Sequence, residues 1–203
     1  LNEIKNKFMK RSIQTIVYLP NFLSWVILAT VVVNIFSYEG PINAVLEMLG
    51  IEPILFMASN KWFRSVLIVT DVWKGFGYGA IIYLAALSGI DPGLYEAAAI
   101  DGANRFKRVW HITLPGILPT IMLVTIMNLP NVLNAGFDQI FNLYNPLVME
   151  TADIIDTWVY RVGLVERQYS LGTAVGLLRS IVGIILMLSA NKIAQKVTDY
   201  RIF

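Results

Sequence analysis

The amino-acid sequence predicts an all-α, polytopic membrane bundle. Three observations lead there: an apolar composition, four runs of spanning length, and basic residues gathered in alternate connections. Hydrophobic residues make up 56% of the 203-residue chain and charged residues 15%, against about 45–50% and about 25% in soluble domains. A helix needs about 20 apolar residues to cross roughly 30 Å of hydrocarbon, and the runs 13–36, 63–87, 117–137 and 171–190 have that length. Lys5, Lys7, Lys10 and Arg11 precede the first run, Arg105, Lys107 and Arg108 separate the second from the third, and Lys192, Lys196 and Arg201 follow the fourth. The alternate connections hold only Lys61, Arg161 and Arg167, against eight acids. The positive-inside rule therefore puts both visible termini and the 88–116 connection in the cytoplasm.

Composition also excludes several classes of function. A net charge of +2 is too small to imply nucleic acid. With no cysteine there are no disulfides or thiolates, and a single His111 cannot build a His/Cys metal site. No lysine follows a glycine, so there is no phosphate-binding loop, and no G-x-S-x-G elbow is present. The chain is read as a non-enzyme without cofactor or metal.

In chain order, residues 1–11 read as a cytoplasmic loop after an earlier span. The first run, 13–36, carries Pro20 and Asn21 in its first third. A proline beyond the first turn removes a backbone hydrogen bond and kinks a helix, so this break either lines a pathway or is an ordinary membrane-helix proline. Residues 37–62 form an external loop with a short surface helix over 42–49. In the second run Asp71 and Lys74 lie three residues apart, on one helix face. Ionisable groups at that depth are costly, and two readings fit: a polar patch on a translocation path, or a neutralising pair that stabilises the bundle. Gly75, Gly77 and Gly79 follow and permit close helix approach.

The third run holds Asn128, Asn131 and Asn134 at intervals of three, so they share a side. Their amides suit either the hydroxyls of a passing solute or a neighbouring helix, and Pro130 is expected to unwind the helix between them. Residues 139–170 read as a long external loop with aromatic Phe141, Tyr144, Trp158, Tyr160 and Tyr169, suited to the membrane interface or to sugar stacking. In the fourth run Gly172, Gly176 and Ser180 form a stripe of small residues, and Arg179 is set to meet Asp71 or another acid, or to line the path.

The most informative stretch is 95–120, YEAAAIDGANRFKRVWHITLPGILPT. Asp91 caps a helix with Pro92 at its first position, and Glu96, Ala97, Ala98, Ala99 and Ile100 continue it. Asp101-Gly102 breaks the run, because glycine accepts unusual backbone angles and Asp can cap the next helix. A second, amphipathic helix follows, with Arg105, Lys107 and Arg108 beside Phe106, Val109, Trp110 and Ile112, closed by Pro115 and Pro119.

This stretch resembles the EAA loop of the permease subunits of bacterial ABC importers. Glu96-Ala97-Ala98, Asp101-Gly102-Ala103, Ile112, Leu114-Pro115 and Pro119 fall in the register of that motif, with Trp110 where an aromatic is usual. The segments 73–103 and 134–164 are similar to permeases of the polysaccharide or oligosaccharide branch. The resemblance implies the type I, or MetI-like, importer-permease fold, with four spans visible of an expected six. It makes 1–203 a transmembrane permease domain lacking its N-terminal spans, with the coupling loop at 89–116, in a bacterial cell membrane.

The resemblance further implies that a separate cytoplasmic ABC ATPase docks on this loop. Glu96, Asp101, Arg105 and Arg108 would make polar contacts, Ala97, Ala98 and Ala103 would allow tight packing, and Gly102 would set the turn. A second permease subunit, an extracytoplasmic solute-binding protein and a carbohydrate cargo complete the expected assembly. Candidate pathway residues are Asp71, Lys74, Asn128, Asn131, Asn134 and Arg179. Two alternatives stay open: an importer of the same class for a non-sugar solute, and an ion-coupled carrier using Asp71, Lys74 and Arg179 as charge relays.

Overall fold

The computed structural model describes residues 7–198. Lys5, Arg201 and the outer ends of the expected N-terminal loop and C-terminal tail lie outside the described residues. Every regular element among those described is helical.

Among the described residues, three helices are long and apolar enough to cross a membrane: α4 (Asn60–Ser88), the continuous stretch Arg105–Asn128, and Tyr169–Lys192 within α11 (Tyr169–Thr198). The first expected span differs. It is a pair, α1 (Lys7–Phe22) and α2 (Trp25–Ile35), bent by 107°. Residues 7–11, expected in a loop, belong to α1. Pro20 has no N–H for the Ile16 carbonyl, yet α1 runs two residues past it. The break falls at Leu23-Ser24, where Ser24 turns extended and its hydroxyl accepts the Ile27 N–H at 3.4 Å to start α2.

The chain divides into two compact units. One takes in the described residues up to Gly77 together with Leu133–Arg179, and the other Tyr78–Val132 with the described residues from Ser180 onward. In the first unit Ala29 and Val32 of α2, Phe56, Phe63 and Val66 pack on Leu143, Val148 and Ala152. The last three belong to the segment expected as a long external loop. That segment is instead folded: α8 (Phe137–Leu143), a 3-10 turn at Pro146–Val148, α9 (Met149–Ala152), α10 (Ile155–Val159) and a π-helical turn at Tyr160–Val165. It could be packed because its polar groups have partners. Gln139 Nε2 donates to the Leu67 carbonyl (2.8 Å) and Thr70 Oγ1 (2.9 Å), and Asn145 Nδ2 to the Met57 carbonyl (2.8 Å). The surface helix expected over 42–49 is α3 (Pro41–Met48). It is anchored by buried Asn43, which donates to the Ser37, Tyr38 and Ile54 carbonyls and accepts the Ile54 N–H at 2.8 Å.

The second unit carries the loop. After α5 (Pro92–Ile100) and α6 (Arg105–Arg108) the helix does not close at Pro115 as expected. It widens into a π-helical turn, Val109–Thr113, and continues as α7 (Leu114–Asn128). The Leu114 N–H reaches back five residues to the Val109 carbonyl, and the wider turn sits where a proline ring would otherwise meet the carbonyl four residues earlier. α7 ends at Asn128, and Leu129–Leu133 tightens into a 3-10 helix. The helix was expected to unwind at Pro130; it instead tightens there before the helical run stops at Leu133.

Candidate functional site

The loop between α4 and α7 is built by caps at short range. Asp91 lies extended (φ −60°, ψ 121°) and its carboxylate accepts the Gly93 N–H at 2.9 Å, with Pro92 opening α5. At the far end Gly102 takes φ +73°. The Ala103 N–H donates to the Ala98 carbonyl (2.8 Å) and the Gly102 N–H to the Ala99 carbonyl (3.1 Å), the paired bonds of a Schellman termination. In that motif the third-last helical residue packs on the residue after the glycine. Here those are Ala98 and Ala103, which are half-buried while Ala97 and Ala99 are exposed. The spacing of the two alanine motifs is thus the spacing of one helix end.

Asp101 does not cap the second helix. It ends the first, and Asn104 is the cap, its Oδ1 accepting the Lys107 N–H at 2.9 Å. The left-handed Gly102 leaves Asp101 too far back to reach α6. A missed contact ties the two arms together: Tyr95 Oη lies 2.9 Å from Thr113 Oγ1, whose hydroxyl donates to the Arg108 carbonyl at 3.4 Å. His111 Nδ1 donates to the Lys107 carbonyl at 2.9 Å, a local bond.

The outer face of this helix–turn–helix is uncovered. Ile100 is 87%, Phe106 70% and Trp110 55% exposed, with the Phe106 and Trp110 rings 6.1 Å apart. Glu96, Asp101 and Arg105 are exposed around them, and Arg108 is half-buried with its Nε unpartnered.

The polar residues of the spans separate into two kinds. Lys74, at the middle of α4, does not pair with Asp71. Its ammonium donates to the carbonyls of Pro20 (3.2 Å), Asn21 (3.1 Å) and Leu23 (2.6 Å) and lies 5.6 Å from the centre of the Trp25 ring. A charge at mid-span costs about 2.5–3.5 kcal/mol on insertion scales, and these carbonyls at a helix C-terminus, with the ring face, offset it. Arg179 pairs with Asp156 of α10. Asp71 is exposed and forms no ion pair among the described residues. Asn131 Nδ2 approaches Asn128 Oδ1 at 3.4 Å, and Asn128 donates to the Val124 carbonyl of its own helix. Asn134 is exposed beyond the 3-10 helix.

In the segment after the third span Asp153 and Arg161 form a two-point ion pair, the shorter contact 2.7 Å. The Arg161 hydrogen bond holds the Asp153 carboxyl below its ordinary value, against the opposing effect of burial, with help from the Thr157 hydroxyl. The same pair raises the Arg161 guanidinium. Among the described residues no cluster of three or more His, Asp or Glu could hold a metal ion.

Residues 1–199 match the family described as "Binding-protein-dependent transport system inner membrane component". The chain belongs to this family. Its relatives include Protein LplB of Bacillus subtilis (strain 168), 44% identical over the whole of this chain and 64% of the relative. The Polygalacturonan/rhamnogalacturonan transport system permease protein YteP of the same organism is 40% identical with the same coverage. The chain therefore spans 64% of the length of these two relatives. Among solved structures, the bacterial alginate ABC transporter in complex with alginate pentasaccharide-bound periplasmic protein superposes with a TM-score of 0.94 at 40% identity, over 99% of this chain and 70% of that one. The MetI-like permease fold expected from the sequence is the fold observed. The family comprises transport components rather than an enzyme class.

Proposed function

We propose that this chain is the membrane-spanning permease part of an ATP-driven importer, moving carbohydrate as oligosaccharides or fragments of polysaccharide. The single observation that carries the reading is the uncovered helix–turn–helix over 89–116 in a chain of this family. Ile100, Phe106 and Trp110 stand in the open around a rigid glycine turn, and burying a side chain of that size is worth about 1.5–3 kcal/mol. Such a face is complete only with a partner, and a cytoplasmic ABC ATPase is the partner this family motif implies. Glu96, Asp101, Arg105 and Arg108 ring the apolar patch with polar contacts for it. The carbohydrate assignment is supported by the names of the relatives: a polygalacturonan and rhamnogalacturonan permease, and an alginate transporter.

In this reading both visible termini and the loop face the cytoplasm, a second permease subunit completes the cavity, and an extracytoplasmic binding protein delivers the cargo. Of the polar span residues, Lys74 and Arg179 are engaged within the fold and Asn128 and Asn131 bond locally, so exposed Asp71 and Asn134 are the candidates with side chains open to a solute.

The test is ATP hydrolysis by the full-length subunit reconstituted with its co-purifying partners and binding protein, challenged with neutral and acidic oligosaccharides, monosaccharides and amino acids. Stimulation by one oligosaccharide class is expected. Stimulation by non-sugars alone removes the carbohydrate assignment, and absence of any co-purifying ATPase removes the importer assignment. In the same assay Gly102→Pro should abolish cargo-stimulated hydrolysis while membrane insertion persists. Proline is locked near φ −65° and cannot take the +73° of this turn; unchanged stimulation would remove the lever role of the loop.

A further inference from the structure

We propose that Lys74 is a positioning residue for transport, a fixed cation that holds the bend of the α1–α2 pair against α4 and does not contact the solute. The inference rests on the importer reading above for its transport consequence, though not for its geometry.

An ammonium has three N–H donors and no acceptor. At Lys74 all three have carbonyl partners, those of Pro20, Asn21 and Leu23. None is left for Asp71 or for a sugar hydroxyl. The acceptors lie at the end of α1 and in the break just beyond it, where backbone carbonyls run short of intrahelical donors; the Pro20 carbonyl also accepts the Leu23 N–H at 3.2 Å. Without water in a bilayer core, an internal donor has to serve them. Lys74 supplies that donor from 51 to 54 residues away. The cation also sits at the negative end of α1 and against the ring of Trp25, the first residue of α2. One side chain therefore touches both arms of the bend.

The next contact along α4 fixes the same joint. Gly77 faces the Val17 backbone so closely that an added Cβ would collide with the Val17 carbonyl. α1 thus lies on α4 backbone to backbone at Gly77 and is capped by α4 at Lys74, three residues earlier. A tilt of α4 carries the bent pair with it.

These 203 residues hold no cysteine, so spin labels can be placed by cysteines substituted for Ile16 and Val33 in the full-length, reconstituted transporter, with any cysteine elsewhere in the assembly replaced. Both are exposed and lie on opposite arms of the bend. With Lys74 in place the label distance should be short and narrowly distributed. In Lys74→Met it should broaden and lengthen toward the roughly 25 Å that an unbroken helix would put between these positions, and Lys74→Arg should restore most of the short population. In the transport assay Lys74→Met should lower the maximal uptake rate tenfold or more with the cargo KM within twofold, and Lys74→Arg should recover it to within about threefold. If Lys74→Met does not assemble, Lys74→Gln is measured in its place. An unchanged label distance in the neutral variant overturns the proposal, as does a raised KM with an unchanged maximal rate, the mark of a solute contact. Failure of the unlabelled wild type to take up any cargo defeats the importer reading alone, since the label distance needs no cargo.

Discussion

Asp153 and Arg161 show how a single pair can report on the segment that holds them. Arg161 keeps the Asp153 carboxyl below its ordinary value of 3.8, so the pair stabilises the folded state at pH values above about 4. The contribution fades as pH falls through that value toward the lower folded one. With side chains 32% and 29% exposed, the pair contributes about 0–1 kcal/mol. Asp153→Asn should therefore lower the thermal midpoint slightly at pH 6 and leave it unchanged relative to wild type near pH 3, measured by unfolding in detergent. A deficit that persists at the acid end would mean that the carboxylate acts by some means other than its charge. Nothing near Asp153 in sequence announces this, because its partner is eight residues on, across the end of one helix and into a π-helical turn.

At the scale of elements, the loop is governed by its ends. Replacing an Asn cap with Ala typically costs about 1 kcal/mol, so Asn104→Ala should speed hydrogen exchange at the Lys107 amide about fivefold while leaving the amides of α5 untouched. Equal acceleration in α5 would mean that the two arms fold as one unit. These ends were legible in the sequence wherever the determining residues lie within four positions of each other, as with Asp91 and Pro92 or Asp101 and Gly102. Even there, the sequence offered Asp101 as the cap of the second helix, and the structure gives that place to Asn104, three residues on. The broken first span was legible only as a proline. Hydropathy counts residues and cannot tell a straight span from a bent pair, and the bend depends on a lysine 54 residues away. The folded segment after α7 was hidden for the same reason. Its polar content looked like a loop because the groups that satisfy Gln139 and Asn145 are 69 to 88 residues distant.

For the whole molecule, the distribution of charge and the exposed loop make a claim about sidedness that a single introduced cysteine can check. A cysteine at Ile100, 87% exposed in the chain alone, should react with an impermeant thiol reagent in inside-out vesicles prepared without the ATPase subunit and stay protected in right-side-out cells. The reverse pattern would invert the topology and remove the ATPase from reach. The apolar surfaces of α4, α7 and α11, with Ile68, Leu123 and Ile185 among their exposed residues, suit contact with lipid or a partner bundle. Between α7 and the loop stands the π-helical turn at Val109–Thr113. Each residue of an α-helix advances its neighbours by about 100°, so the extra residue in this turn sets the rotational phase of everything before it. Phe106 and Trp110 point where they do because of that one-residue offset. Two chains could share the same loop and the same span yet, differing by a single residue at this junction, present the loop's aromatic face in directions about 100° apart and so dock on different partners.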